Sequence, residues 1–213
     1  MGDGEKASLR LQFNPKVLDL SGIRIFGFEP SPGCNTSPAE VVEVFIQLTF
    51  YVGVPATEAA MRITKEIFEG RGIQFTPVRV YDTNRTADEL YQAGLQAHQQ
   101  HMGEVTLPEA SEHPDSPEMQ LERLINEYHW GAIYTRPQLD DKARAICALS
   151  SMTVLGRYDR QTRRRISGAL RIGMTPTEIM EVFIQLTLYG GYFTTRTAMQ
   201  IARSVFPEQG IEY

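Results

Sequence analysis

One helical segment occurs twice in this chain with only small changes. PAEVVEVFIQLTFYVG begins at Pro38, and PTEIMEVFIQLTLYGG begins at Pro176. Aligned without gaps, residues 38–75 match residues 176–213 at about half of their positions, over a window too long for chance. The repeat limits the chain to folds that use the same local structure twice.

Each copy begins with a signal for the start of a helix. Ser37 and Thr175 each precede a proline, and Glu40 and Glu178 follow the hydroxyl by three residues, which is the pattern of a capping box. The helix that follows is apolar around most of its circumference, so we expect it to be buried. Glycine then ends it, and a second apolar helix follows. The repeat therefore predicts a helical hairpin, at residues 38–70 in the first copy, and an all-α fold.

Polar side chains recur on one face of this apolar helix, four residues apart. They are Glu43, Gln47 and Tyr51 in the first copy and Glu181, Gln185 and Tyr189 in the second. Buried polar groups must be paired or must meet a ligand. The row is therefore either a hydrogen-bonded contact between helices or subunits, or a cavity wall whose carboxylate and phenol transfer protons.

Composition excludes several classes of protein. Lys and Arg total 21 against 26 Asp and Glu, a net charge of −5, which argues against a nucleic-acid-binding protein. No apolar run is long enough to span a membrane, and the sequence starts without the apolar core of a signal peptide. Cys34 and Cys147 are far apart and form no CxxC, which favours free thiols and a cytoplasmic location.

The middle of the chain contains two further helical patterns. Residues 83–103 predict a helix that carries His98 and His101, either as an exposed polar surface or as two ligands of a metal. Because no carboxylate or cysteine completes such a ligand set, we expect no metal and no organic cofactor. A small-residue helix is predicted from Asp140 to Gly156.

These segments resemble a known family. EYHWGAIYTRPQLDDKARAICALSSMTVLGR and RRISGALRIGMTPTEIMEVFIQLTLYGG are similar to the carboxymuconolactone decarboxylase family, whose pattern includes Trp-Gly, Arg-Pro-x-Leu-Asp and a helix ending at Tyr-x-Gly. The resemblance covers about Leu90 to Ile211. It implies an AhpD-like all-α fold and assembly as trimers or hexamers. It also implies either a lyase that removes CO2 from γ-carboxymuconolactone or a thiol peroxidase.

The resemblance also implies a domain organisation. Tandem copies of this domain occur in the family, so residues 1–82 are interpreted as a partial repeat and residues 83–213 as a complete domain. Peroxidase members need a CxxC, but the matching region, Arg157 to Gln161, contains no cysteine. A thiol peroxidase is therefore excluded, and Arg165 stands where family members carry a histidine.

A basic run lies beside the position of the family's active site. It comprises Arg157, Arg160, Arg163, Arg164, Arg165 and Arg171. The run is either a solvated or salt-bridged helix face, or a site that binds the carboxylate of a substrate. A guanidinium can hold a carboxylate through two hydrogen bonds. Trp130 and Arg136 are likewise either structural or part of the site. We expect His129 to be exposed, although its ordinary pKa suits acid–base chemistry.

Two hypotheses follow. The first is a cofactor-independent lyase, or a related isomerase or cyclase, for an anionic lactone or an aromatic or polyketide-derived acid. Its predicted catalytic residues are Glu181, His129 and Tyr189, and its predicted substrate-binding residues are Arg165, Arg136, Trp130 and Gln185. The second is a catalytically inactive helical oligomer that acts as a binding or scaffold protein. Both predict self-association.

Overall fold

The computed structural model describes residues 36–77, 84–103, 115–156 and 159–213. Within these ranges the chain is all-α, as predicted, and Ser37–Tyr213 form one compact unit. The helices are α1 (Pro38–Val52), α2 (Val54–Gly70), α3 (Ala87–Met102), α4 (Pro117–Leu124), a π helix (Ile125–Ile133), α5 (Asp141–Leu155), α6 (Asp159–Arg171), α7 (Pro176–Gly190) and α8 (Tyr192–Glu208). Cys34 and most of the predicted partial repeat before Pro38 lie outside the described residues.

The two similar segments fold as the hairpins α1–α2 and α7–α8, and both predicted capping boxes are confirmed. The Ser37 hydroxyl accepts from the Glu40 N–H at 3.2 Å, and the Glu40 carboxylate accepts from the Ser37 N–H at 2.6 Å. Thr175 and Glu178 make the same pair of bonds. Each hairpin turns at a glycine with φ of 84°, a value that suits glycine and few other residues.

The main hydrophobic core lies between α5, α6, α7 and α8. Its fully buried members are Leu149, Ile166, Ala169, Ile179, Phe183, Ala198, Ala202, Val205 and Phe206. These residues come from the apolar faces of all four helices. The second hairpin is therefore stabilised by close packing and by burial of apolar surface.

The two hairpins bury opposite faces of nearly the same helix. α7 buries Ile179, Met180 and Phe183, which are apolar. α1 packs against α5 and the π helix, and its buried residues are Glu43 and Gln47. The expectation of burial around most of the circumference is therefore wrong for α7, on which Glu181, Gln185 and Leu188 are exposed. On α1, residues 38–49 are all buried or half-buried, and only Phe50 and Val52 are exposed.

α3 approaches the π helix closely because glycines stand at the contact. A Cβ on Gly94 would overlap the backbone oxygen of Asn126, and a Cβ on Gly131 would overlap that of Leu90. This approach buries His98 and His101, which corrects the expectation of an exposed polar face. None of the helices in the described ranges is both long enough and apolar enough to cross a bilayer.

Candidate functional site

The polar row of α1 begins in a buried ion pair. The Arg136 Nε donates to both oxygens of Glu43, at 2.7 and 3.0 Å, and the Arg144 Nη2 lies 3.6 Å from the same carboxylate. The Arg144 Nη1 donates to the Gln47 amide oxygen at 2.6 Å. Here the structural interpretation of the row holds, and Arg136, predicted to bind substrate, already has a carboxylate partner.

The row ends in a closed ring of hydrogen-bonding groups. The Arg165 guanidinium donates to the Tyr134 hydroxyl at 2.8 Å and to the His129 Nε2 at 3.1 Å. The Tyr51 hydroxyl lies 3.3 Å from the His129 Nε2 and 3.4 Å from the Tyr134 hydroxyl. We call Tyr51, His129, Trp130, Tyr134 and Arg165 the arginine cluster. Its residues come from α1, the π helix, the turn that follows it, and α6.

The donors of the ring fix the tautomer of His129. A guanidinium can only donate, so the His129 Nε2 is an acceptor and the neutral imidazole carries its proton on Nδ1. Arg165 and the Tyr51 hydroxyl then share the single lone pair of Nε2, and Tyr134 can donate to Tyr51. The His129 Nδ1 is buried and has no hydrogen-bond partner within the described residues.

Arg165 is the unusual charge in this cluster. The residue is partly exposed, but its guanidinium lies among aromatic rings, 4.8 Å from the centre of the Trp130 ring and 5.7 Å from that of Tyr51. Burial acts to lower the pKa of Arg165, but the phenols of Tyr134 and Tyr51 more than offset it, so the group stays charged. No carboxylate forms a salt bridge with Arg165 in the part of the chain that the structure describes.

Two of the titratable neighbours of Arg165, His129 and Tyr51, are held neutral. Burial, and then the charge of Arg165, hold the pKa of His129 well below its ordinary value. Burial raises the pKa of Tyr51 well above its ordinary value, although Arg165 opposes that shift. At neutral pH the cluster therefore contains the Arg165 cation beside the neutral imidazole of His129 and the protonated phenol of Tyr51, and such separated pKa values suit acid–base roles.

The structure brings together three of the residues predicted for the site, since His129, Trp130 and Arg165 lie in the arginine cluster. Arg136 pairs with Glu43 instead. His129 is only 3% exposed, so the expectation of an exposed imidazole is wrong. The π-helical turn, closed by the Tyr134 N–H donating to the His129 carbonyl at 3.0 Å, places the His129 ring inward.

The other three predicted residues do not join the cluster. Glu181, Gln185 and Tyr189 are exposed on α7, and the first two line a groove of about 500 Å³ between α5 and α7. None of their side chains makes a hydrogen bond within the described residues. Their predicted catalytic and binding roles gain no support from this placement.

Tyr134 and Arg144 were not predicted for this region, and Tyr51 was named in the polar row but not among the predicted site residues. Tyr51 could have been found, since it occupies the same place in its row as Tyr189 does in the second copy. The first hairpin is predicted only as part of a partial repeat, whereas α1 supplies a side chain to the cluster. Cys147, which is buried nearby, has its pKa raised to about 11 by burial and remains a thiol at neutral pH.

Comparisons with known proteins match the same region. The model of the carboxymuconolactone decarboxylase family matches residues 120–204. The chain is 26% identical over 124 residues to the 4-carboxymuconolactone decarboxylase of Acinetobacter baylyi (strain ATCC 33305 / BD413 / ADP1), a match covering 58% of this chain and 92% of that protein. It is 33% identical over 87 residues to an uncharacterized 15.0 kDa protein from the nqo9–nqo10 intergenic region of Paracoccus denitrificans, covering 40% of this chain and 65% of that protein.

The family match includes most of the arginine cluster but not all of it. His129, Trp130, Tyr134 and Arg165 lie within residues 120–204. Tyr51 lies outside the match, on the hairpin that precedes it. One member of the cluster thus comes from a segment that the family model does not cover.

Proposed function

Because residues 120–204 belong to the carboxymuconolactone decarboxylase family, we propose that this chain is a cofactor-independent, decarboxylase-like lyase for an anionic lactone or an aromatic or polyketide-derived acid. The observation that carries the proposal is the Arg165 guanidinium, charged, surrounded by aromatic rings and without a carboxylate partner in the described chain. An enclosed cation without a counterion is costly, so a site that keeps one is suited to an anionic ligand.

Arg165 has donors to spare for such a ligand. A guanidinium carries five N–H groups, and the bonds to Tyr134 and His129 use two of them. When the bond to a carboxyl carbon breaks, CO2 leaves and the electron pair passes into the conjugated lactone. The nearby guanidinium stabilises that developing charge, and the surrounding rings strengthen the interaction by excluding water.

The enolate left by CO2 needs a proton at carbon. Tyr51 carries a proton at neutral pH, and Arg165 stabilises the phenolate that remains after the proton is donated. His129 is neutral, and its Nε2 lies 3.3 Å from the Tyr51 hydroxyl. In this proposal Tyr51 donates its proton to the carbon, and a proton from water, relayed through the His129 Nε2, restores the phenol. Each turnover therefore releases one CO2 and consumes one proton from solvent. An isomerase or cyclase would use the same groups.

A second candidate is a catalytically inactive helical oligomer. The observation in its favour is that Tyr51, His129, Tyr134 and Arg165 are already hydrogen-bonded to one another in a closed ring. For either candidate we propose assembly as a trimer or hexamer, and a cytoplasmic location.

The test is CO2 release from γ-carboxymuconolactone and from a panel of related lactone acids. The repeat supplies a matched pair of variants, since Tyr51 and Tyr189 occupy equivalent positions. We expect Tyr51→Phe to lower kcat by about 10²-fold or more, as for loss of a general acid. Tyr189→Phe should retain activity. The opposite result would return the catalytic role to Tyr189.

Arg165→Met separates the two candidates. In a lyase it abolishes turnover but changes thermal stability little, because it removes an enclosed charge as well as two hydrogen bonds. An inactive wild-type protein that binds none of the acids, and that loses much of its stability in Arg165→Met, would identify the cluster as structural.

A further inference from the structure

The exposed face of α7 is chemically a packing face. On α1 the same row, Glu43, Gln47 and Tyr51, lies against other helices of the chain. On α7 the equivalent Glu181, Gln185 and Tyr189 are exposed, and their side chains make no hydrogen bond within the described residues. The sequence is nearly the same, so α7 presents to solvent a surface that this chain elsewhere covers.

Large apolar side chains surround the row. Leu188 is 88% exposed, Phe193 is 80% exposed and Ile184 is 50% exposed. Ile146 of α5, which is also exposed, lines the same groove as Glu181 and Gln185. So many exposed large apolar side chains on and beside one helix are typical of an interface.

The row is self-complementary when two copies of α7 run antiparallel. If the two helices cross at Gln185, each residue of one copy faces a residue of the other copy, and the numbers of the two residues sum to 370. Glu181 then faces the second copy's residue 189, a tyrosine whose hydroxyl can donate to the carboxylate. Gln185 faces its own copy, and an amide both donates and accepts. Leu188 faces residue 182, a valine in the α5–α7 groove.

Charge also favours this pairing. The two copies of Glu181 stand eight residues apart along the antiparallel pair, or about 12 Å at 1.5 Å per residue, so like charges are separated. A parallel pairing would place the two carboxylates opposite each other, which costs energy. From these features we propose that the α7 face is a two-fold interface between two copies of this chain.

The proposal goes beyond the proposed reaction and does not depend on it. A two-fold interface gives assemblies with an even number of chains, so it selects a hexamer over a trimer and also allows a dimer. The arginine cluster contains no residue of α7 or α8, so failure of the enzyme assay would leave this proposal unaffected.

The test is the mass of the full chain by light scattering and sedimentation. We expect an even-numbered assembly, and we expect Leu188→Asp to halve its mass because the charge falls in the centre of the apolar contact. Leu121→Asp is the matched control, since Leu121 is 58% exposed on α4, and it should leave the mass unchanged. A wild-type monomer or trimer, or a Leu188→Asp protein of unchanged mass, would overturn the proposal.

A second measurement covers the case in which Leu188→Asp fails to fold. In a Cys34→Ser background, Gln185→Cys gives each chain one exposed thiol. In the proposed pair these two thiols meet at the two-fold axis. A bismaleimide with a reach of about 8–10 Å, the usual distance between packed helices, should join two chains covalently. The same reagent on Gln120→Cys, exposed on α4, should not. Equal crosslinking of the two variants, or none in either, contradicts the interface.

Discussion

Glu43 and Glu181 test whether the two hairpins bury opposite faces. They occupy equivalent positions, but Glu43 is 2% exposed and bonded to Arg136, whereas Glu181 is exposed in the α5–α7 groove. Glu43→Gln removes the carboxylate and leaves Arg136 and the fully buried Arg144 without their shared counterion. Glu181→Gln removes the same chemical group from a site without an ion pair in the described chain.

The expected difference in stability is large. Removing one partner of a buried ion pair costs about 3–5 kcal/mol, because the remaining charge stays buried. A surface substitution usually changes the free energy of unfolding by about 0.5 kcal/mol or less. For a unit of this size, about 2–4 °C of Tm per kcal/mol makes the fall roughly 6–20 °C for Glu43→Gln. Glu181→Gln should change Tm by about 2 °C at most.

Urea and thermal unfolding followed by circular dichroism measure both variants at neutral pH. The double variant Glu43→Gln/Arg136→Met should recover part of the lost stability, because it also removes one orphaned cation. Equal stability of Glu43→Gln and Glu181→Gln would refute the burial of the polar row on α1. A larger loss of stability in Glu181→Gln than in Glu43→Gln would mean that the buried ion pair lies on the second hairpin and not on the first.

Three further outcomes are expected. Gly94→Ala should destabilise the fold by about 1–3 kcal/mol or more by overlap with the π helix, whereas Gly70→Ala, with no atom near its Cβ, should be neutral or stabilising in urea unfolding. Burial lowers the pKa of His98 to about 4, so the unfolded state protonates first as pH falls below about 6.5. Stability should fall by roughly 2 kcal/mol towards pH 5, and His98→Gln should reduce that slope. In a Cys34→Ser background, the buried Cys147 should react with a thiol reagent only on unfolding, and fast native labelling would contradict its placement.

Local features of the fold were predictable from sequence. The capping boxes at Ser37 and Thr175, and the hairpin at residues 38–70, follow from hydrogen bonds and glycine conformations that need no distant partner. His129, Trp130 and Arg165 were predicted for the site because they stand in or beside family motifs, and they do lie together.

The covered face of each helix was not predictable, because both copies carry the same two faces. An apolar face and a polar row are each compatible with burial, and the choice depends on what the rest of the chain places alongside. Arg136 and Arg144 stand beside α1 and make its polar row the buried side. His98 and His101 illustrate the same limit, since the close contact at Gly94 decides their burial.

α1 and α7 have nearly the same sequence but different proposed functions. α1 contributes to the arginine cluster, and α7 contacts a second chain. α1 supplies Tyr51 to the arginine cluster within one chain, so under the proposed mechanism the site does not need a second copy to provide that phenol. α7 keeps the equivalent row free for another chain. If both proposals hold, Tyr51→Phe impairs turnover at unchanged mass, and Leu188→Asp halves the mass while each chain keeps an intact cluster. A variant of α7 that removed activity along with assembly would mean that the cluster needs a neighbouring chain after all.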